Sequence, residues 1–136
     1  MSTITIIDNR YATLIYEDDK KIVHHQFHSL LDSKNLRLVL NTGIELLKEH
    51  KAIKWLSDNR AIGPHSEEDG AWVNDDWLPR VIAAGWKYWA LVVPDDFMGR
   101  VNMSEFVESF HVRGIRIMVF TDLDKATTWL ENVGQK

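Results

Sequence analysis

The sequence contains no cysteine and little proline or glycine. Its 136 residues include three prolines and seven glycines. The lack of cysteine excludes thiol catalysis, disulfide bonds and cysteine-ligated zinc, and it is compatible with a reducing compartment. The glycines occur singly, so there is no glycine-rich phosphate-binding loop. Neither a GxSxG motif nor an HExxH motif occurs, which removes two common hydrolase signatures.

Positive charge and long apolar runs are also scarce. The chain has 16 Lys and Arg residues against 20 Asp and Glu residues, which gives a net charge of −4. No basic cluster is visible, so the electrostatic basis for nucleic-acid binding is missing. No apolar run approaches the roughly 20 residues of a membrane-spanning helix. The N-terminus lacks the pattern of a signal peptide, and we expect a cytoplasmic protein.

The residues that are present indicate one α/β domain over positions 1–136. The hydrophobic fraction is 45%, enough for a core at this length. The segment from Lys54 to Pro94 holds five of the six tryptophans. Within it, the apolar runs AIKWL and YWALVV flank an aromatic amphipathic helix. A strand–helix–strand unit of this kind builds a parallel sheet.

The pattern of the whole chain predicts a mixed sheet. An antiparallel meander comes first, and α-β-α-β-α-β-α with parallel central strands follows. Gly43 lies inside a predicted helix, so we expect a close packing contact there. Pro79 predicts a bend near Asp76 or two helical pieces. The predicted strands cover 3–7, 11–16, 21–27, 52–56, 88–93 and 115–120, and the main helices 36–50, 66–85, 102–111 and 121–130.

Several segments resemble the SpoIIAA-like family, small bacterial proteins of the STAS-related fold. They are KWLSDNR (54–60), DWLPR (76–80), GWKYWALVVP (85–94), the pair Asn102-Met103 and the closing run 126–130. The resemblance covers nearly the whole chain, and its tryptophan-rich centre is the most specific part. It implies a mixed sheet with helices on one or both sides, and no settled activity.

Better-studied STAS domains include antagonists of anti-sigma factors that are phosphorylated on a serine. Their usual pattern is Asp-Ser-Ser/Thr-Gly at the start of a helix. This chain has Ser57-Asp58-Asn59-Arg60 near the corresponding point. Because the tetrapeptide is absent, the phosphorylation switch is not carried over, and Ser57 and Ser66 remain only phosphoacceptor candidates.

Polar residues follow three of the predicted strands. The carboxyl ends of parallel strands meet at one edge, where ligands of open sheets tend to bind. Arg60 could hold a phosphate or carboxylate through its planar fork. The alternative, favoured by the residue types, is that these side chains cap helices and turns. The ligand-binding candidates are Asp58, Asn59, Arg60, Asp95, Thr121 and Asp122.

Two further groups have competing interpretations. Arg80 could bind a ligand, but we favour an ion pair with Asp76 or Asp58. Adjacent His24 and His25 point to opposite faces of a strand, so they cannot share a metal site, and no metal or other cofactor is expected.

Two tryptophans are candidates for an interface. Trp72 and Trp77 lie about 140° apart around a helix. One of them therefore becomes a candidate for a protein–protein surface. The alternative is that the two mark the edges of one broad buried stripe.

No catalytic constellation stands out, so an enzyme ranks last among the functions considered. The leading hypothesis is a non-enzymatic interaction or regulatory module that acts as a homodimer or on a protein partner. The alternative is a binder of a small anionic or apolar molecule at the strand ends.

Overall fold

A six-stranded mixed sheet forms the centre of the fold in the computed structural model, which describes residues 3–134 except for the side chains of Met98 and Arg100. The strands lie in chain order. The first three are antiparallel, and the third to sixth run parallel. This confirms the predicted α/β class and its parallel central strands. The strands are β1 (Thr3–Asp8), β2 (Ala12–Glu17), β3 (Ile22–Phe27), β4 (Lys54–Asp58), β5 (Tyr88–Val92) and β6 (Arg116–Phe120).

Helices cover both faces of the sheet. One face carries Trp55 and Trp89 and packs against several helices; we call it the tryptophan face. The other carries Leu56 and Ala90 and packs against the last helix; we call it the α6 face. None of the described helices is long and apolar enough to cross a membrane. The helices are α1 (Ser33–His50), α2 (Glu67–Trp72), a π-helical turn (Val73–Trp77), α3 (Leu78–Ala83), α4 (Phe97–Arg100), α5 (Met103–His111) and α6 (Leu123–Asn132).

Helix α1 is fixed at its start and in its middle. The side chain of Asp32 caps it by accepting a hydrogen bond from the Asn35 N–H at 2.9 Å. Gly43 faces the indole of Trp55, and a Cβ added at Gly43 would lie 2.1 Å from Trp55 Cη2. The close contact predicted at this glycine is therefore confirmed.

Pro79 shapes the helical connection between β4 and β5. Proline has no N–H and clashes with the carbonyl four residues earlier. The chain widens into the π-helical turn just before it, where the Leu78 N–H donates to the Val73 carbonyl. Pro79 then lies in the first turn of α3. The prediction of separate helical pieces is confirmed. The π-helical turn joins α2 directly to α3 without an intervening loop.

Strand β4 ends later than the sequence predicted. Ser57 and Asp58 were assigned to a polar loop, yet they pair with His25 and Gln26 of β3. The correction matters because strand side chains alternate between faces. Ser57 therefore lies on the tryptophan face and Asp58 on the α6 face.

Candidate functional site

A cavity of about 370 Å³ opens at the carboxyl ends of the parallel strands, on the tryptophan face. The sheet forms its floor, with Ser57 of β4 and Leu91 of β5. Val73 and Trp77 of the π-helical turn line one wall, and Phe106 of α5 lines the opposite one. The cavity therefore exists where the π-helical turn and α5 are held apart above the strand ends.

The lining of this cavity is mostly apolar, and it includes the aromatic rings of Phe27, Trp77, Trp89, Phe97, Phe106 and Phe110. The rings of Trp89 and Phe110 meet edge to face, with centroids 4.9 Å apart. Phe106 packs edge to face against Phe110 at 5.3 Å and against Phe97 at 5.7 Å. These large, rigid side chains present apolar surface to anything that enters.

A hydrogen-bonded chain of three side chains forms part of the floor. The Trp55 Nε1–H donates to Nδ1 of His25 at 2.9 Å. On the other side of the ring, Nε2 of His25 lies 2.9 Å from Oδ1 of Asn59. Because an indole N–H can only donate, Nδ1 must accept and Nε2–H must donate to Asn59. His25 is 3% exposed.

Burial keeps the His25 ring neutral. Loss of hydration lowers the pKa of His25 to about 3, although its hydrogen bond to Asn59 acts in the opposite direction. Both ring nitrogens already have partners within the protein. His25 is therefore a positioning group and not a proton acceptor for a substrate.

Ser57 is the second polar group of the floor. It is buried, and its Oγ accepts a hydrogen bond from Nε1–H of Trp89 at 2.9 Å. Among the described residues none accepts a hydrogen bond from this hydroxyl, and its partner Trp89 can only donate, so no base activates it. Nor do the described residues contain a group of three or more His, Asp and Glu side chains suited to a metal ion. The chemistry of the floor favours binding over catalysis.

Of the six predicted ligand-binding residues, Asn59 alone is among those that line this cavity. Asp58 and Arg60 form a bidentate pair with each other, with Nε–Oδ1 at 2.9 Å and Nη2–Oδ2 at 2.8 Å. Burial raises the pKa of Asp58, but the hydrogen bonds and charge of Arg60 outweigh it and hold that pKa below its ordinary value. The fork of Arg60 is thus occupied by a carboxylate of the chain itself.

The remaining three candidates lie at the ends of β5 and β6. Asp122 caps α6, where its Oδ1 accepts from the Asp124 N–H at 3.3 Å. Asp95 and Thr121 are exposed. The parallel strands bring these segments to one rim, as predicted, but alternation sends their side chains to both faces. A ligand at these three residues remains a prediction.

The two phosphoacceptor candidates have different surroundings. Ser57 is buried in the floor. Ser66 is exposed and caps α2, with its Oγ accepting from the Asp69 N–H at 3.1 Å. Ser66 is therefore the accessible one of the two.

The two tryptophans predicted as interface candidates also differ in burial. Trp77 is 5% exposed, and its Nε1–H donates to the Leu40 carbonyl at 2.8 Å. It is a core residue, so Trp72 is the one of the two that remains an interface candidate. Trp72 is partly exposed. The Cζ atoms of Arg37 and Arg80 lie 5.1 and 5.8 Å from the centroid of its ring. The predicted ion pair of Arg80 with Asp76 is confirmed at 2.8 Å.

Sequence reasoning missed most of the cavity. His25 was considered only as a metal ligand, and Phe106 and Phe110 were not among the predicted site residues. The signal was present in the alternation of β4 and β5, since positions 55, 57 and 59 share a face with 89, 91 and 93. Reading that alternation through Asn59 would have placed Ser57 and Asn59 opposite Asp58 and Arg60.

Comparison with known proteins gives no matching family model, and no curated protein or solved structure matches the chain significantly. The resemblance to the SpoIIAA-like family therefore stays a prediction from the sequence.

Proposed function

We propose that this protein is a non-enzymatic binder of a small, largely apolar molecule, held in the cavity on the tryptophan face. The observation that carries the proposal is the cavity itself, with about 370 Å³ of space and a mostly apolar lining that includes six aromatic rings. Small-molecule sites typically enclose ~300–1,000 Å³ and combine apolar walls with a few polar groups. The cavity lies at the lower end of that range, which favours a compact ligand.

The driving force for such binding is the removal of apolar surface from water. Each Å² of apolar surface buried contributes about 25 cal/mol before the cost of immobilising the ligand. Three of the lining rings, Trp89, Phe106 and Phe110, pack against one another and hold one another in place. Little reorganisation is needed on entry, and a preformed site loses less affinity to ordering.

A cavity-filling substitution tests the proposal. Val93 is buried and lines the cavity, so Val93→Phe should occupy the space that a ligand would take. Val112→Phe makes the same change at an exposed position and serves as the control. Ethylnaphthalene at about 100 times its Kd should stabilise the wild type and the control by about 2.7 kcal/mol.

The readout is the free energy of unfolding with and without ethylnaphthalene. Val93→Phe should fold with unchanged or slightly raised stability and show no response to the ligand. Equal stabilisation of all three proteins would contradict binding in the cavity. Should Val93→Phe not fold, Val73→Phe on the π-helical turn provides a second test, since Val73 is partly exposed and also lines the cavity.

A second candidate function is an interaction module that pairs with another copy of the chain. Edge strand β1 exposes Ile4 at 42% and Ile6 at 39%. An edge strand with apolar side chains is a template for pairing with another strand. The resemblance to the SpoIIAA-like family, whose better-studied STAS relatives include antagonists of anti-sigma factors, also supports this candidate. Sedimentation that depends on concentration in the wild type, and is lost in Ile4→Lys, would favour it.

A further inference from the structure

The two indole N–H groups beneath the cavity determine which hydrogen-bonding groups the floor can offer. An indole nitrogen donates and never accepts. Trp55 therefore makes Nδ1 of His25 an acceptor, and the neutral ring must donate from Nε2. Asn59 consequently turns its carbonyl oxygen towards His25. Its NH₂ group, which has no acceptor among the described residues, is the part of the amide left for a ligand.

The second indole acts on Ser57 in the same way. Trp89 donates to Oγ of Ser57 at 2.9 Å, so that oxygen already accepts a hydrogen bond. The hydroxyl proton of Ser57 has no acceptor among the described residues. A buried donor without a partner costs free energy comparable to a lost hydrogen bond. Both strand-end side chains therefore favour a ligand that supplies an acceptor.

Charged side chains are missing from the described lining of the cavity, and burial lowers the pKa of the two histidines that line it, His25 and His65. The described side chains that line it include no Asp, Glu, Lys or Arg. The nearby side chains of Asp58 and Arg60 lie on the opposite face, where they hydrogen-bond to each other. A charged ligand would lose its hydration without gaining a counter-charge, which is strongly unfavourable.

Building on the proposed small-molecule binding, we propose that the cavity selects uncharged, largely apolar molecules that carry a hydrogen-bond acceptor, such as the carbonyl of a ketone or ester. The acceptor oxygen lies at the floor, where the Ser57 hydroxyl and the Asn59 amide donate to it. The apolar part of the molecule lies against Trp89, Phe106 and Phe110.

Four naphthalene compounds of similar size test this selectivity: methyl naphthyl ketone, ethylnaphthalene, naphthoate and naphthylmethylamine. The titrations use the full chain at pH 8, where histidine is neutral while the acid and the amine are charged. The ketone should bind about fivefold more tightly than the hydrocarbon, which corresponds to about 1 kcal/mol. The charged acid and amine should bind more weakly than the hydrocarbon.

The Asn59→Asp variant reverses the polarity of the floor without changing its shape. One carboxylate oxygen can still accept from Nε2–H of His25, and the other becomes an acceptor towards the cavity. We expect the ketone to lose its fivefold advantage and the amine to gain at least about tenfold, because the new contact joins two charged groups. Ethylnaphthalene should bind the variant more weakly than the wild type, because its entry would remove water from the new carboxylate without offering it a partner.

The outcomes separate the selectivity from the proposed function. If the hydrocarbon binds but the ketone gains nothing over it, or if naphthoate binds most tightly, the selectivity proposal is overturned while the cavity remains a binding site. If none of the four compounds binds, both proposals fail. Should Asn59→Asp not fold, Ser57→Ala replaces it. In that variant the difference in binding free energy between the ketone and the hydrocarbon should fall by about half.

Discussion

The two faces of the sheet are packed in different ways. On the α6 face, Leu56, Ala90 and Val92 meet Ala126 and Leu130 of a single helix, and all five are buried. On the tryptophan face, the amino-terminal half of the parallel strands is filled by Trp55, Trp77 and Trp86, and the carboxyl-terminal half contains the cavity. Buried aliphatic side chains fill the centre of the α6 face, whereas the tryptophan face leaves room at the carboxyl ends of the strands.

The position of α5 explains the difference. None of the nine residues of α5 is buried, and the helix meets the sheet only through partly exposed Phe106, Val107 and Phe110. Helix α6, by contrast, places fully buried Ala126 and Leu130 directly on the strands. A small residue such as alanine allows a helix to approach closely, whereas the large rings of Phe106 and Phe110 hold α5 away from the sheet. The cavity is the space that results.

The largest effect should come from the tightly filled end of the tryptophan face. Gly43→Ala would put a methyl group against Trp55, whose ring is buried and held by its bond to His25. Displacing this ring would disturb the packed core and its hydrogen bond, so we expect the free energy of unfolding to fall by about 4 kcal/mol. Urea denaturation measures the change.

Gly70→Ala is the matched control for this substitution. Gly70 is also helical, and nothing lies within 4 Å of the Cβ it would gain. Alanine there should stabilise the protein by about 0.5–1 kcal/mol. Equal stabilities of the two variants would mean that the contact between Gly43 and Trp55 is not as tight as described.

A pair of leucine truncations compares the two faces directly. Leu130 is fully enclosed on the α6 face, and Leu91 borders the cavity. Leu130→Ala should cost about 3 kcal/mol, as expected for a packed core. Leu91→Ala should cost about 2 kcal/mol, because a side chain beside empty space has fewer contacts to lose. The reverse order in thermal or urea unfolding would contradict the proposed difference in packing.

The sequence predicts features that depend on residues close together in the chain better than features that depend on distant residues. Hydrophobic periodicity located the six strands and the main helices but not the short α4, and Gly43 and Pro79 correctly marked a close contact and a break in the helix. Those features depend on neighbours a few positions apart. The end of β4 depends on pairing with β3, which lies roughly thirty residues away, and this is why Ser57 and Asp58 were placed in a loop.

The candidate site could be predicted only as a location. Parallel strands bring their carboxyl ends together wherever they occur, and this rule correctly indicated the rim. The side chains at the rim were treated as one group, although strand alternation divides Ser57 and Asn59 from Asp58. The aromatic walls come from α5 and the π-helical turn, whose approach to the sheet is set by tertiary packing and is not encoded in a local pattern.

A pH experiment tests the buried polar floor of the tryptophan face. The pKa of His25 is about 3 in the folded protein, below its ordinary value of 6.5. Between these values the unfolded chain binds a proton that the folded chain does not, so stability falls as the pH is lowered. From pH 7 to pH 5 this contribution should cost about 2 kcal/mol, at about 1.36 kcal/mol per pH unit.

The matched variant is His25→Gln, which does not titrate and can still accept from Trp55 and donate to Asn59. Its stability relative to the wild type should improve by about 2 kcal/mol over the same pH interval. A difference that stays constant with pH would mean that His25 is protonated in the folded protein, and the hydrogen-bond directions at the floor would then have to be reassigned.

The smallest effect should come from the polar end of the α6 face. Arg60→Ala removes the partner of Asp58, but the Arg60 side chain is 41% exposed, so solvent screens the pair and the loss should be about 1 kcal/mol at pH 7. Because Arg60 lowers the pKa of Asp58, this stabilisation is present above the ordinary pKa of a carboxyl and disappears as the pH falls through the lowered one.

The same variant separates the two faces as binding surfaces. Arg60 lies outside the lining of the cavity, so Arg60→Ala should leave the affinity for methyl naphthyl ketone unchanged while lowering stability. Loss of ketone binding in a folded Arg60→Ala protein would place the ligand at the ion pair on the α6 face. If phosphate stabilised the wild type but not Arg60→Ala, the result would indicate that the guanidinium group of Arg60 binds an anion. Unchanged ketone affinity, with no response to phosphate, would assign the ligand to the aromatic cavity and leave Arg60 with the structural role of neutralising a buried carboxylate.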